Sequence, residues 1–87
     1  MSDQTVIAVA SILGAAIVMG LGALGAALGE SRLGAAGMDA IARQPDASAG
    51  LTRNLLVGLA MIESTAIFAL VIALVLLFAN PFVVAGS

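Results

Sequence analysis

The chain contains no cysteine, histidine, lysine, tryptophan or tyrosine, and only 9% of its 87 residues are charged. Without histidine and cysteine, the common zinc and copper ligand sets are excluded. Without cysteine there is no disulfide, and the redox compartment stays undetermined. Three arginines and a net charge of −2 form no basic patch, so nucleic acid is not an expected partner. What remains is 62% apolar and arranged in long uncharged runs, a composition that points to lipid rather than to a water-soluble core.

The first run, Val6 to Gly29, holds 24 residues without a charge, and as a helix it spans about 36 Å, enough to cross a bilayer. A secretory signal peptide is the rival reading. It fits poorly, because the leader Met1-Ser2-Asp3-Gln4 carries no positive charge and the run exceeds a typical signal core. The second run, Leu55 to Val84, is interrupted only by Glu63, Ser64, Thr65 and the pair Asn80-Pro81. Between the runs, Glu30 to Asn54 holds all three arginines, Arg32, Arg43 and Arg53. The positive-inside rule therefore places this connection in the cytoplasm and both termini on the opposite side, in an all-α membrane protein built as a two-helix transmembrane hairpin.

Within the hairpin, helix 1 is expected over residues 5–42, a loop over 43–50 and helix 2 over 51–80, as one unit covering 1–87. Asp39 and Arg43 have the i,i+4 spacing of a helix-surface pair, and Pro45 disfavours helical geometry at Gln44, so the turn centres on Arg43-Gln44-Pro45-Asp46. Ala47 to Gly50 reads as small and flexible, with Thr52 a candidate N-cap near the start of helix 2 and Asn80-Pro81 ending it.

Helix 1 is dense in small residues, including the alternation Ala23, Gly25, Ala27, Gly29. Each helical glycine costs roughly 0.8 to 1 kcal/mol relative to alanine, and close backbone approach is the reason to keep so many. They fall on several sides of the helix, so contact with more than one neighbour is expected. Helix 2 is instead dominated by Leu, Ile, Val and Phe from Ala66 to Phe82, with no glycine before Gly86. One helix built for packing and one for lipid, in a chain too short to bury much alone, imply a homo-oligomeric ring with helix 1 inside.

The candidate site is Met61-Ile62-Glu63-Ser64-Thr65. An ionised carboxylate in lipid costs roughly 2.5 to 3.5 kcal/mol, so such residues usually have a function. At 100° per residue, Ser64 lies about 100°, Phe68 about 140° and Met61 about 160° from Glu63. In a ring, the Glu63 carboxylate of one copy then meets the Met61, Ser64 and Phe68 face of the next. The blander reading of Ser64 and Thr65 is that their hydroxyls bond to carbonyls one turn earlier. Glu30, at the end of the first run, is either an interfacial residue or a second carboxyl at the depth of Glu63. Two carboxyls in one low-dielectric site do not both ionise cheaply, so at least one is expected to keep its proton. Arg32 has no assigned role beyond snorkelling towards the cytoplasmic interface.

The alternation Ala23 to Gly29, the loop Ala42-Arg43-Gln44-Pro45, the segment Glu63-Ser64-Thr65 and the tail Phe78-Ala79-Asn80-Pro81-Phe82 together resemble the c-subunit of rotary F-type ATP synthases, the proteolipid of the membrane rotor ring. The resemblance covers nearly the whole chain. It implies a non-catalytic protein that carries an ion on Glu63 and releases it at the stationary a-subunit. It also implies that Arg43, Gln44 and Pro45 contact the central-stalk subunits gamma and epsilon, that no cofactor is needed, and that the ring sits among lipids of a bacterial inner membrane. Sodium-type members typically have glutamine at the position of Glu30, though some have glutamate, and a tyrosine where this chain has Phe68. Losing that hydroxyl favours the protonated carboxyl, so H+ is the expected ion. Na+ is the alternative, held by Glu63, Glu30, Ser64, the Met61 carbonyl and a water on Thr65.

A second resemblance is to c-subunits of the N-type branch, carried by Glu30 with Glu63-Ser64-Thr65 and by alanine replacing glycine at Ala23 and Ala27. It goes with the expectation of a larger ring. A remoter alternative is a structural or pore-forming hairpin, such as a holin, in which Glu63 only ties helices together.

Overall fold

The computed structural model describes residues 2–82; Met1, the end of the second apolar run at Val84, and Gly86 lie outside them. Helix α1 (Asp3–Arg43) and helix α2 (Ser48–Phe78) are joined through Gln44 and a 3-10 turn, Pro45–Ala47. They lie side by side in a hairpin 64 Å long and 17 Å by 9 Å across. Both helices are long and apolar enough to cross a membrane.

Local chemistry sets the ends of α1. Ser2 caps it by accepting a 3.1 Å hydrogen bond from the Thr5 N–H, with Asp3 in the first turn and Arg43 in the last, each opposite in sign to the helix dipole there. This cap lets α1 begin two residues before the expected residue 5. At the other end Pro45 keeps Gln44 out of helical geometry, at φ −131° and ψ 69°, while the Gln44 N–H still bonds to the Ala40 carbonyl at 2.9 Å.

Helix α2 begins at Ser48, so Ser48, Ala49 and Gly50 are helical rather than a flexible loop, and Thr52 lies inside the helix instead of capping it. The proline is the reason. It occupies the first position of the 3-10 turn with its φ already fixed, and the turn, closed by Ala47 N–H to Gln44 carbonyl at 3.0 Å, runs directly into α2 without a side-chain cap. At the far end α2 stops at Phe78, where Asn80 and Pro81 follow. The Asn80 amide donates to Ser11 Oγ on α1 and to the Leu76 carbonyl, and its own oxygen accepts from the Phe82 N–H.

The only buried hydrophobic residues among those described are alanines: Ala15 and Ala26 on α1, and Ala66, Ala69 and Ala73 on α2. The helices meet over small residues, with Leu33, Leu55, Ile62 and Leu76 seated against glycines of the opposite helix and most other large side chains outside, an arrangement suited to lipid and to further copies but not to water. At Gly22 a β-carbon would lie 2.6 Å from Ala69 Cβ, a neighbour with no flexible side chain to move aside, whereas β-carbons on Gly20, Gly25 and Gly34 would meet nothing within 4 Å. Gly22→Ala is therefore expected to push the helices apart and destabilise the hairpin by about 1 to 3 kcal/mol, while Gly25→Ala spares it. Unfolding in detergent micelles, followed by circular dichroism, checks the contrast; equal stability of the two variants refutes it.

Candidate functional site: two facing carboxyls

The register of the hairpin positions the site. Gly37 lies against Leu55, Leu33 against Gly58, Gly29 against Ile62, Gly22 against Ala69 and Gly14 against Leu76. Directly after the Gly29–Ile62 contact come Glu30 and Glu63, at similar depth, with their side chains near enough to each other to interact. The Oε1 atom of Glu30 is shielded from solvent and has no hydrogen-bond partner. A shielded carboxylate oxygen without a donor is costly.

The other candidates divide by side. Met61 and Phe68 stay 69% and 74% exposed, and neither covers Glu63 within the single chain. The Ser64 hydroxyl donates to the Ala60 carbonyl one turn earlier at 2.9 Å, the local bond expected of a serine in an apolar helix. Its oxygen still has lone pairs to offer a neighbour. Thr65 is exposed next to it. The hairpin thus unites Glu30 with Glu63 and leaves Met61, Ser64, Thr65 and Phe68 on surfaces that a single chain does not cover.

Of the alternating small residues, Gly29 packs against Ile62, while Ala23, Gly25 and Ala27 remain exposed. The row that joins the helices is instead Ala15, Gly22, Ala26 and Gly29, whose spacings of seven, four and three residues put it on one helix face. At the loop, Arg43 Nε lies 3.0 Å from Asp39 Oδ2, with Gln44 and Pro45 exposed beside them. The Ser11–Asn80 hydrogen bond was not anticipated, and its signal was a lone serine inside an apolar run.

The family model for the ATP synthase c-subunit matches residues 13–76, a span that contains Glu30, the loop and Glu63. The chain belongs to the ATP synthase c-subunit family. It is 65% identical over 82 residues to ATP synthase c-subunit 2 of Cereibacter sphaeroides, covering 94% of this chain and 98% of that one. It is 55% identical over 73 residues to the ATP synthase c-subunit of a Synechococcus species (84% and 90% covered), and 50% identical over 70 residues to that of Petrotoga mobilis (80% and 73%). Members of the family are non-catalytic, ion-translocating rotor proteins that assemble as a ring of membrane hairpins with the other ATP synthase subunits. Membership sets aside the holin-like reading.

Glu30→Gln tests the carboxyl pair. It keeps the shape but removes one of the two facing acids, and the pH profile of Glu63 modification by a hydrophobic carbodiimide is expected to move by about a unit or more. An unchanged profile relegates Glu30 to the interface.

Proposed function

We propose that this rotor protein carries protons, with Glu63 as the group that is loaded and unloaded once per revolution and Glu30 sharing its proton. The facing carboxyls support the reading: the unpartnered Glu30 oxygen is satisfied by a proton held between the two acids, and a loaded site carries less charge into lipid. Each loaded hairpin travels through the bilayer and gives up its proton at the stationary a-subunit, where an opposing arginine stabilises the ionised Glu63. Met61, Ser64 and Phe68 of the adjacent copy close the site from the side that a single chain leaves open, and Thr65 stands next to them. Phe68 contributes no hydroxyl and makes the surroundings drier, which favours the proton.

In this reading α1 is the inner helix and α2 faces lipid. The Arg43-Gln44-Pro45 loop lies in the cytoplasm of a bacterial cell and contacts gamma and epsilon, so that ion flow, ring rotation and ATP synthesis or hydrolysis are coupled. Ala23 and Ala27 space the inner helices and favour a larger ring; microscopy that finds a small one, about ten copies or fewer, removes that part.

A sodium-carrying site is the second reading, favoured by the same unpartnered Glu30 oxygen, because two carboxyls with the Ser64 hydroxyl and the Met61 carbonyl provide hard oxygens for a cation. Carbodiimide labelling separates the two. Labelling of Glu63 that is indifferent to millimolar Na+ at fixed pH is expected; protection by Na+ overturns the proton assignment. Glu63→Gln is expected to reduce ATP-driven proton pumping in vesicles to background while the ring still assembles, and retained pumping refutes the role of Glu63.

A further inference from the structure

Arg32 is left unexplained by the single chain. Among the described residues the only ion pair joins Arg43 to Asp39, and Arg53 sits in the second turn of α2, outside the apolar run. Arg32 is exposed and stands just past the uncharged stretch that ends at Gly29. Its place around α1 decides what it faces. The row Gly22, Ala26, Gly29 and Leu33 packs on α2 within a sector of about 60°; Glu30 lies about 70° from the middle of that sector on one flank, and Arg32 about 90° from it on the other. On α2, Glu63 lies about 100° to one side of the row from Leu55 to Ala69, with Met61 and Phe68 about 100° to 120° to the other. Since Glu30 and Glu63 interact, the hairpin carries both acids on one flank and Arg32, Met61 and Phe68 on the opposite one.

In a ring of identical hairpins related by rotation, one flank of each copy meets the opposite flank of the next, and all copies stand at one height. Arg32 is two residues nearer the loop than Glu30, a rise of about 3 Å, well within the reach of an arginine stem. The flanks also match in shape. Exposed Leu21 and Leu28 lie within about 40° of Arg32, while the flank of Glu30 offers Ala16, Ala23 and the open space at Gly34. Charge points the same way: one proton on two carboxyls leaves the loaded site with a negative charge at the edge of a low-dielectric layer, and a guanidinium beside it makes the loaded site neutral.

We propose that Arg32 of each copy is a positioning residue for the ion site of the next copy: its guanidinium pairs with the Glu30 carboxylate and fixes it as the acceptor for the proton that Glu63 loads and unloads. The proposal deepens the carrier reading of Glu63 and rests on it. Glu30 is half-buried, and Oε1 is the one of its oxygens that is shielded and unpartnered, which leaves the other for the adjacent copy. Arg32 keeps Glu30 ionised, the loaded Glu63 carboxyl donates to it, and one proton moves per copy. The other charged groups stand apart. Asp39 and Arg43 pair with each other about 13 Å or more farther along α1, and Arg53 lies about 15 Å before Glu63 on α2.

The pH profile of Glu63 labelling by a hydrophobic carbodiimide, which attacks the protonated acid, tests the pairing in intact rings. Without the cation the two acids compete for the proton, so labelling in Arg32→Gln rings is expected to extend to higher pH by about one unit or more. Arg32→Lys keeps the charge and is expected to stay near the wild-type profile. In a Glu30→Gln background, Arg32→Gln is expected to move the profile clearly less, because Arg32 acts through Glu30. An unmoved profile in Arg32→Gln, an equal move in both backgrounds, or an Arg32→Lys profile like that of Arg32→Gln overturns the proposal. The natural chain has no cysteine, which allows the geometry to be read separately. Rings assembled from Glu30→Cys and Arg32→Cys chains together with wild-type copies are treated with a short bifunctional thiol reagent. More cross-linked dimer is expected from rings carrying both variants than from rings carrying either one, and equal yields overturn the facing of Arg32 and Glu30, also where Arg32→Gln rings do not assemble. Cross-linking is indifferent to the ion that Glu63 carries, so failure of the proton reading and failure of the pairing give different results.

Discussion

The close approach of α1 and α2 over glycine and alanine is the contact on which the rest of this molecule depends. At Gly22 and Ala69 nothing larger than a hydrogen fits between the backbone of one helix and the methyl group of the other. Such contacts yield little hydrophobic energy inside lipid, where tails are as apolar as leucine, but they gain dispersion and allow no sliding without a clash. Register follows from them, and from register follows the meeting of Glu30 with Glu63. At the ends the hairpin is pinned by the proline turn and by the bond from Asn80 to Ser11.

Much of this was legible in the sequence because membranes leave few options. Two uncharged runs with an arginine-bearing connection between them give a hairpin, and Pro45 marks its turn. The start of α2 was not legible. Ser48, Ala49 and Gly50 have loop-like composition, but once the backbone emerges helical from a 3-10 turn, continuing costs little and every residue adds a hydrogen bond. Thr52 had the chemistry of a cap and the wrong position.

At the site, the wheel separates Glu63 from Met61, Ser64 and Phe68, a separation internal to one helix. It was silent on which residue of α1 would face Glu63, since relative depth depends on the packing row, and the alternation Ala23 to Gly29 drew attention to a different set of small residues. Of that set Gly29 packs against α2, whereas a β-carbon at Gly25 would meet nothing within 4 Å, as at Gly20 and Gly34. With only five alanines as buried hydrophobics among the described residues, the hairpin is less a folded protein than one segment of a wall.

The pairing of Leu55 with Gly37 carries one more implication. The uncharged stretch of α2 starts at Leu55, level with Gly37, but that of α1 stops at Gly29, eight residues or about 12 Å farther from the loop. The two surfaces of the hairpin are therefore wetted to different depths. Seen along α2, Glu63 is sunk well below the waterline, whereas seen along α1 its partner Glu30 stands at the shore. One and the same pair of acids thus borders two media, and the step in dielectric between them lies across the thickness of a single hairpin.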